Sequence, residues 1–370
     1  MPEPKKNPKT ETWEFVFDYY VKGVRKQVRR RGFQTRKEAN KAMIALQNEV
    51  LEEKFVCTDK TTVGAFVQNW IDTVRKLEID ETTMYNNKLY LKNHIMPRIG
   101  KLRLQKLDHI VCQEFVNEMH EKGYARNTID RVVTMLKKAL DKAVQYKLIR
   151  ENYMRQVTLP RVVKKAKEIW TAKQAIQFLK ATEDKRFHCV YALALLTGMR
   201  QGEILGLRWR DIDFERRIIS INQTLTHYGK TIKSGAKTAA GIRTIAMPNL
   251  LITILKKQYE KYDELKQKLG EKFIDMDLVI FNLSNGKTVF PSNLTKIYTA
   301  DVKRAGLPHI TFHSMRHTHA TMLIEQNVNV KLISERLGHS KIGVTLDTYS
   351  HVIPSMQQEV ADKIDEIMVM

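Results

Sequence analysis

Residues 311–349, TFHSMRHTHATMLIEQNVNVKLISERLGHSKIGVTLDTY, hold a dense set of candidate catalytic groups. His313 and Arg316 lie three residues apart in a stretch that we expect to be helical, so both side chains can face one ligand. Further on, Gly338 can take the left-handed conformation that ends a helix, which would present His339 from a rigid corner. Arginine supplies a planar, permanently charged fork that matches phosphate oxygens. The stretch therefore predicts a phosphate site.

The composition of the whole chain indicates a polyanionic partner. The 370 residues include 63 Lys and Arg against 41 Asp and Glu, a formal net charge of +22. Nucleic acids and anionic membranes both attract such a charge, but no apolar run approaches the ~18 residues of a membrane-spanning helix. Nucleic acid is therefore the expected partner. The length predicts about two or three domains.

The N-terminus and the cysteines exclude other classes of protein. The first residues are basic and lack an apolar segment, so we expect no secretory signal and a cytoplasmic location. Cys57, Cys112 and Cys189 have no C-x-x-C spacing, which argues against a zinc site or a disulfide framework. We interpret them as small buried apolar side chains.

A small basic domain is predicted at the N-terminus. Residues 13–33 alternate apolar and charged side chains around a Lys-Gly turn, which predicts a hairpin, and a capping-box pattern at 35–38 starts a helix. Eight basic residues and no acidic one lie between positions 22 and 37. Such charge can also merely protect an exposed strand, but the total charge of the chain favours DNA contact. The predicted contacts are Lys22, Arg25, Lys26, Arg29, Arg30 and Arg31.

Helical segments are expected next, at about 63–75, 82–95, 108–122 and 125–147, with Pro and Gly breaks between them. They predict a helical bundle. Its candidate DNA contacts are Lys88, Lys92, Arg126 and Arg131, although each alone is equally consistent with a solvated helix face. A basic, Pro-containing stretch at 156–168 is the best boundary before the remaining part of the chain.

Helices and strands mix from residue 169 onward. Helices are expected at 172–182, 187–196, 203–207, 253–269 and 292–304, and strands at 218–225 and 242–247 around a polar turn. The fold class is thus multidomain and mainly α with small β-sheets. After Pro354, an apolar stripe of Met356, Val360, Ile364 and Ile367 or Met368 predicts a tail helix that docks on a neighbouring protomer.

Four motifs occur in a fixed order: TGMRQGE at 197–203, then H-x-x-R, then L-G-H, and a tyrosine ten residues later. This order resembles that of the tyrosine recombinases, specifically the phage and integrative-element integrases of the lambda-integrase type. The resemblance implies an arm-type DNA-binding domain at 1–57, a core-binding bundle at 62–155, a linker at 156–168, a catalytic domain at 169–354 and the tail at 355–370.

The resemblance also implies the chemistry. Tyr349 would attack the scissile phosphate to give a 3′-phosphotyrosyl link and a free 5′-hydroxyl. The implied catalytic set is Arg200, Arg316 and His339 on the phosphate, His313 as proton acceptor, Lys237 as proton donor and Glu203 as an orienting partner of Arg200. No ATP, metal or other cofactor is required.

Two assignments stay open at this point. Lys233 is an alternative to Lys237, because both lie in the polar turn between the predicted strands. His313, His317 and His319 include a zinc-like i,i+4 spacing, but no H-E-x-x-H motif is present. We therefore interpret His317 as a packing residue and His319 as a surface residue, and expect no metal.

The implied partners are double-stranded DNA, with core and arm sites, and a homotetramer on that DNA in a bacterial host, where the enzyme would be bound to the nucleoid. An excision factor or a host DNA-bending protein is a further candidate partner. A type IB topoisomerase would share the chemistry, and a non-catalytic DNA-binding relative is the other alternative. The N-terminal domain and the tail favour an integrase.

Overall fold

The computed structural model describes residues 3–21, 24–51, 61–161, 168–226, 231–234, 243–338, 343 and 357–368, with the backbone alone at 19–21, 24, 26, 49–51, 357–361 and 363. The chain divides into two compact units, Met1–Lys164 and Lys165–Met370. Within the described ranges, no helix is long and apolar enough to cross a membrane.

The first unit begins with an antiparallel sheet packed on one helix. Strands β1 (Lys5–Lys6), β2 (Trp13–Val21) and β3 (Val24–Phe33) lie in that order, and α1 (Arg36–Leu51) follows. Phe15, Phe17 and Val28 of the sheet pack against Met43 and Leu46 of the helix. The predicted hairpin and helix are confirmed. Strand β1 was not predicted, because two residues are too few for a periodic pattern.

A helical bundle completes the first unit. It contains α2 (Val63–Thr73), α3 (Glu81–Tyr90), α4 (His109–Glu121) and α5 (Arg126–Gln145). The side chains of Thr62, Asp80 and Asp108 cap the first three helices by accepting hydrogen bonds from backbone N–H groups. The single helix predicted at 82–95 is instead α3 followed by a π-helical turn, Leu91–Ile95.

The second unit surrounds the apolar helix α7 with helices and two small sheets. Its helices are α6 (Ala172–Ala181), α7 (His188–Thr197), α8 (Gln201–Leu205), α9 (Asn249–Leu269), α10 (Pro291–Arg304), α11 (Phe312–Glu325), α12 (Val330–Leu337) and α13 (Gln357–Met368). Its strands are β4 (Ile212–Asp213), β5 (Ile218–Ile221), β6 (Gln223–Leu225), β7 (Ile232–Ser234) and β8 (Arg243–Ala246). One antiparallel sheet has the order β4-β5-β8, and β6 pairs with β7.

The strand prediction in this unit needs correction. The single strand expected at 218–225 is two strands in different sheets, separated at Asn222, whose amide donates to Asp211 at 3.0 Å. Part of the predicted polar turn is strand β7, in which Lys233 lies opposite Thr224. Cys112 and Cys189 are buried, as predicted, and Cys57 lies outside the described residues.

Candidate active site

Helix α11 carries His313 and Arg316 one turn apart. The side chain of Thr311 caps its N-terminus and accepts a hydrogen bond from the Ser314 N–H at 3.1 Å. His313 is exposed, and its ring meets that of His317 edge to face, with 5.0 Å between the ring centroids. His317 is buried, as expected of a packing residue. The imidazole of His313 is therefore accessible to a substrate.

Arg316 is only 2% exposed although it carries a permanent charge. Its Nη1 donates to the Gly198 carbonyl at 2.7 Å, and its Nη2 donates to the Leu337 carbonyl at 2.7 Å. Gly198 ends α7 with a φ of 70°, and a Cβ at this position would lie 2.7 Å from the His319 ring. Arg316 thus clamps the turn after α7 to the end of α12, at a point where a glycine is required.

Arg200 follows that α7 turn and is held by Glu203. Its Nη1 donates to Oε1 of Glu203 at 2.8 Å, and its backbone N–H donates to Oε2 at 2.9 Å, so the predicted ion pair is present. Its Nη2 donates to the Gly338 carbonyl at 3.0 Å. The side chain is 40% exposed, so the guanidinium is fixed in place yet can reach a ligand.

A further arginine, Arg243 of β8, was missed in the sequence analysis. Its Nη1 and Nη2 donate to Oε1 and Oε2 of Glu203 at 3.1 and 2.8 Å, and its Nε donates to the Arg336 carbonyl at 2.7 Å. The side chain is 7% exposed. One signal could have found it, because strand alternation places Arg243 on the same face as buried Ile245.

Three arginines meet at the C-terminal end of α12. They donate to three successive carbonyl oxygens, Arg243 to Arg336, Arg316 to Leu337 and Arg200 to Gly338. The last carbonyls of a helix lack partners within the helix and carry the negative end of its dipole, which stabilises cations. Gly338 has the predicted left-handed conformation, with a φ of 68°, and ends α12 at this cluster.

Glu203 is the acidic member of the cluster. Burial alone would raise its pKa, but the hydrogen bonds and charges of Arg243 and Arg200 hold that pKa below its usual value. The carboxylate is therefore ionised at neutral pH. One negative charge among three guanidinium groups leaves a net positive site, which suits a phosphate.

His319, which we predicted to be at the surface, is buried. Its Nδ1 lies 2.8 Å from the Leu195 carbonyl, and its Nε2 accepts a hydrogen bond from Nε of Arg336 at 3.2 Å. Burial, reinforced by the charges of Arg336 and Arg316, lowers the pKa of His319 to about 4. The prediction was wrong because α11 is buried on all sides from residue 314 to 321, so its polar side chains do not mark a surface.

Several predicted residues cannot be placed. Lys237, His339, Tyr349 and the N-terminal Lys22 lie outside the described residues. Lys233, the alternative to Lys237, is half-buried in β7. Within the described part of the chain, no group of three or more His, Cys, Asp or Glu side chains is arranged to hold a metal ion.

Strand β3 places alternate arginines on the sheet face opposite α1. They form ion pairs with β2, Arg25 with Asp18 and both Arg29 and Arg31 with Glu14. The three arginine side chains are 63%, 51% and 61% exposed, so they remain accessible to a polyanion. Arg30 is also exposed, and the side chain of Lys26 is not described.

Two of the predicted DNA contacts in the helical bundle are engaged within the protein. Nε of Arg126 donates to the Pro160 carbonyl at 2.7 Å, so this side chain anchors the segment that leaves the bundle. Lys88 forms an ion pair with α2 at 3.0 Å. Lys92 and Arg131 are exposed.

Arg131 also borders a polar groove between α3 and α5. The groove has a volume of about 350 Å³, and Asn86, Asn87 and Lys138 are among its lining residues. Basic and amide side chains therefore line the same groove.

The second unit has an apolar groove and an exposed apolar helix face. The groove, about 930 Å³ in volume, is lined largely by apolar side chains, among them Leu196, Met247, Met322, Leu323, Val328 and Leu332. Helix α13 leaves Ile364, Ile367 and Met368 exposed, at 55%, 71% and 78%. Met356 and the side chain of Val360 lie outside the described part of the chain.

Three protein-family models match the chain: the phage integrase family at 168–356, the N-terminal SAM-like domain of phage integrases at 62–120 and an arm DNA-binding domain at 5–50. The chain is 28% identical over 354 residues to the XerC-like tyrosine recombinase of Caldanaerobacter subterraneus subsp. tengcongensis, covering 90% of both chains. It is 29% identical over 342 residues to the ICEBs1 integrase of Bacillus subtilis, covering 90% of this chain and 91% of the relative.

Solved structures show the same fold. The Tn1549 transposon integrase in complex with transposon right end DNA is 24% identical with a TM-score of 0.68, over 81% of this chain and 100% of that chain. A lambda integrase dimer bound to a COC′ core site is 16% identical with a TM-score of 0.59, over 94% of each chain.

The family match and the curated relatives identify the chain as a tyrosine recombinase. The chain belongs to the phage integrase family, as its sequence motifs suggested, and it is a site-specific DNA recombinase.

Proposed function

We propose that this recombinase cuts and rejoins DNA through Tyr349, and so integrates and excises a phage or mobile element. The supporting observation is the convergence of Arg200 and Arg316 on the turn that precedes His339. Two guanidinium groups in this position can bind the non-bridging oxygens of a phosphate and stabilise the charge that grows on the pentacoordinate phosphorus. Because backbone carbonyls already orient both groups, little reorganisation accompanies the reaction.

In the proposed cleavage step, the Tyr349 oxygen bonds to phosphorus while the bond to the 5′ oxygen breaks. The phenolic proton passes to His313, and Lys237 gives a proton to the departing 5′ oxygen. His339 assists the two arginines on the phosphate, and Glu203 orients Arg200. A 5′-hydroxyl from a partner duplex then reverses the step, so the ester conserves the bond energy without ATP.

The test is replacement of the nucleophile. Tyr349→Phe should bind core DNA like the wild type but form no covalent protein–DNA adduct on a denaturing gel, because the variant lacks the attacking oxygen. An adduct at wild-type level would refute the assignment. Strand exchange between two labelled duplexes by the wild type distinguishes recombination from topoisomerase-like relaxation.

We also propose a function for each segment of the chain. Residues 1–57 bind arm-type DNA, 62–155 bind core DNA, 156–168 form a linker, 169–354 catalyse cleavage and 355–370 dock on a neighbouring protomer. The family matches at 5–50, 62–120 and 168–356 support this order. Two duplexes cut on both strands require four protomers, so we expect a tetramer on DNA. Since its substrate is DNA in a bacterial cell, the enzyme would work in the cytoplasm.

A further inference from the structure

We infer that Arg243 is a positioning residue for strand cleavage, which acts through Glu203 on Arg200 and through the Arg336 carbonyl on the C-terminal end of α12. This inference rests on the proposed role of Arg200 at the phosphate.

Arg243 and Arg200 share one carboxylate. Oε1 of Glu203 accepts hydrogen bonds from Nη1 of both arginines, and Oε2 accepts from Nη2 of Arg243 and the backbone N–H of Arg200. The Glu203 side chain is 8% exposed and that of Arg243 7%. Without Arg243, two of these four hydrogen bonds would be lost and a buried carboxylate would keep one charged partner. Glu203 could then rotate, and Arg200 would lose its fixed orientation.

The second link runs from β8 to the end of α12. Nε of Arg243 donates to the Arg336 carbonyl, the first of the three successive carbonyls that hold the arginine cluster. Arg243 is also the first residue of β8, where it lies opposite Ile221 of β5. One side chain therefore ties together the start of β8, the start of α8 and the end of α12. Displacing these segments by about 1 Å can slow a reaction roughly 10²-fold.

A purely structural ion pair is the competing explanation, and the chain offers a matched control. Arg208 donates to both oxygens of Asp211, at 2.8 and 3.1 Å, in the same unit. Its side chain is 23% exposed and that of Asp211 6%. Arg208→Gln therefore removes a comparable buried pair without touching Glu203 or α12.

The experiment measures single-turnover cleavage of a core duplex by the full-length protein at saturating enzyme. Arg243→Gln should cleave roughly 10- to 100-fold more slowly than the wild type, with core DNA affinity unchanged. Arg208→Gln should cleave at the wild-type rate even if its thermal stability falls. Arg243→Lys keeps the charge but not the two-pronged contact, so it should cleave at an intermediate rate, and it serves as the test if Arg243→Gln does not fold.

A second substrate separates positioning from general damage. A methylphosphonate at the scissile position replaces one charged non-bridging oxygen by a methyl group, so the need for Arg200 should diminish. Arg200→Lys and Arg243→Gln should then both lose much less activity on this substrate than on the phosphodiester. The double variant should be close to Arg200→Lys alone, since both changes affect the same interaction.

The outcomes are distinct. Equal slowing of both substrates by Arg243→Gln, or a defect no larger than that of Arg208→Gln, would overturn the role of Arg243. If Arg200→Lys itself cleaves the phosphodiester normally, the proposed function of Arg200 fails instead.

Discussion

At the scale of single residues, His319 shows how a neighbouring cation selects one protonation state. Nε of Arg336 must donate to Nε2 of His319, so the ring proton lies on Nδ1, facing the Leu195 carbonyl. A second ring proton would have to bind Nε2, where it would point at the Nε–H of Arg336 and be repelled by it. Burial is the main cause, and with the charge of Arg336 it lowers the pKa of His319 to about 4 from an ordinary value of 6.5.

This depressed pKa predicts a pH-dependent stability. Between pH 6.5 and about 4, His319 is protonated in the unfolded chain but remains neutral in the folded chain. The free energy of unfolding should therefore fall as the pH falls through this window. The contribution is fully present above pH 6.5 and amounts to roughly 3 kcal/mol. In urea unfolding, His319→Gln should be less stable at pH 7 and show a flatter pH dependence. Parallel profiles for the two proteins would contradict the prediction.

The identity of the proton donor is also a question about single residues. Lys237→Ala should cleave an ordinary phosphodiester about 10²- to 10⁴-fold more slowly. It should cleave a 5′-bridging phosphorothioate nearly as fast as the wild type, because a thiol with a pKa near 8.5 needs no protonation to leave.

Two further variants serve as controls for the phosphorothioate experiment. Arg316→Ala should not be rescued by sulfur, since its proposed contact is with non-bridging oxygens. Lys233→Ala should behave like the wild type on both substrates. If it shows the rescue instead, the proton donor is Lys233 in β7; if neither lysine variant is rescued, the proton has another source.

At the scale of elements, the parts predicted well are those whose signals are local. Helix α12 ends at Gly338, as predicted, because a glycine and the few residues before it specify that boundary. Strand β7 was missed because a two-stranded hairpin buries too little to impose an alternating pattern. Strand alternation indicates that Arg243 is buried but not which residue it pairs with, because its partner Glu203 is 40 residues away.

The arginine face of β3 leads to a prediction for arm DNA. Replacing Arg25, Arg29 and Arg31 by Gln should weaken arm-site binding, and the plot of log affinity against log salt should become shallower by up to about 0.9 per lost phosphate contact. Covalent cleavage of a core duplex should persist. Lys41→Gln, on α1 behind the sheet, is the control and should leave arm binding unchanged. Unaltered arm affinity in the triple variant would exclude this face as the contact surface.

At the scale of the whole molecule, positive charge occurs on elements of both units. The arginines of β3, the exposed Arg131 on the bundle and the arginine cluster at α12 each suit phosphate. The net charge of +22 suits a polyanionic partner such as DNA. The sequence could predict the order of the basic sheet, the helical bundle and the mixed α/β unit along the chain, because charge and helical periodicity are local properties. The packing of one protomer on another is not local, and only a mixing experiment can test it.

The mixing experiment tests whether α13 of one protomer binds the apolar groove of another. We expect the exposed face of α13, with Ile364 and Ile367, to dock in the groove of a neighbouring protomer. Ile364→Asp with Ile367→Asp should leave core binding and single-site cleavage intact but lower synapsis and recombination, because charges would be forced against apolar side chains. Leu332→Asp, at the groove, should have the same effect, since Leu332 is already 58% exposed and its replacement should not disturb folding.

Mixing the tail variant with the groove variant decides between docking in trans and in cis. In a mixed assembly, the intact tail of the Leu332→Asp protomer can occupy the intact groove of the tail variant, so recombination should be partly restored. Leu77→Asp, at an 81% exposed apolar residue of the first unit, is the control and should recombine normally. If the mixture stays as inactive as either variant alone, the tail packs within its own chain; if the tail variant recombines fully, α13 has no docking role.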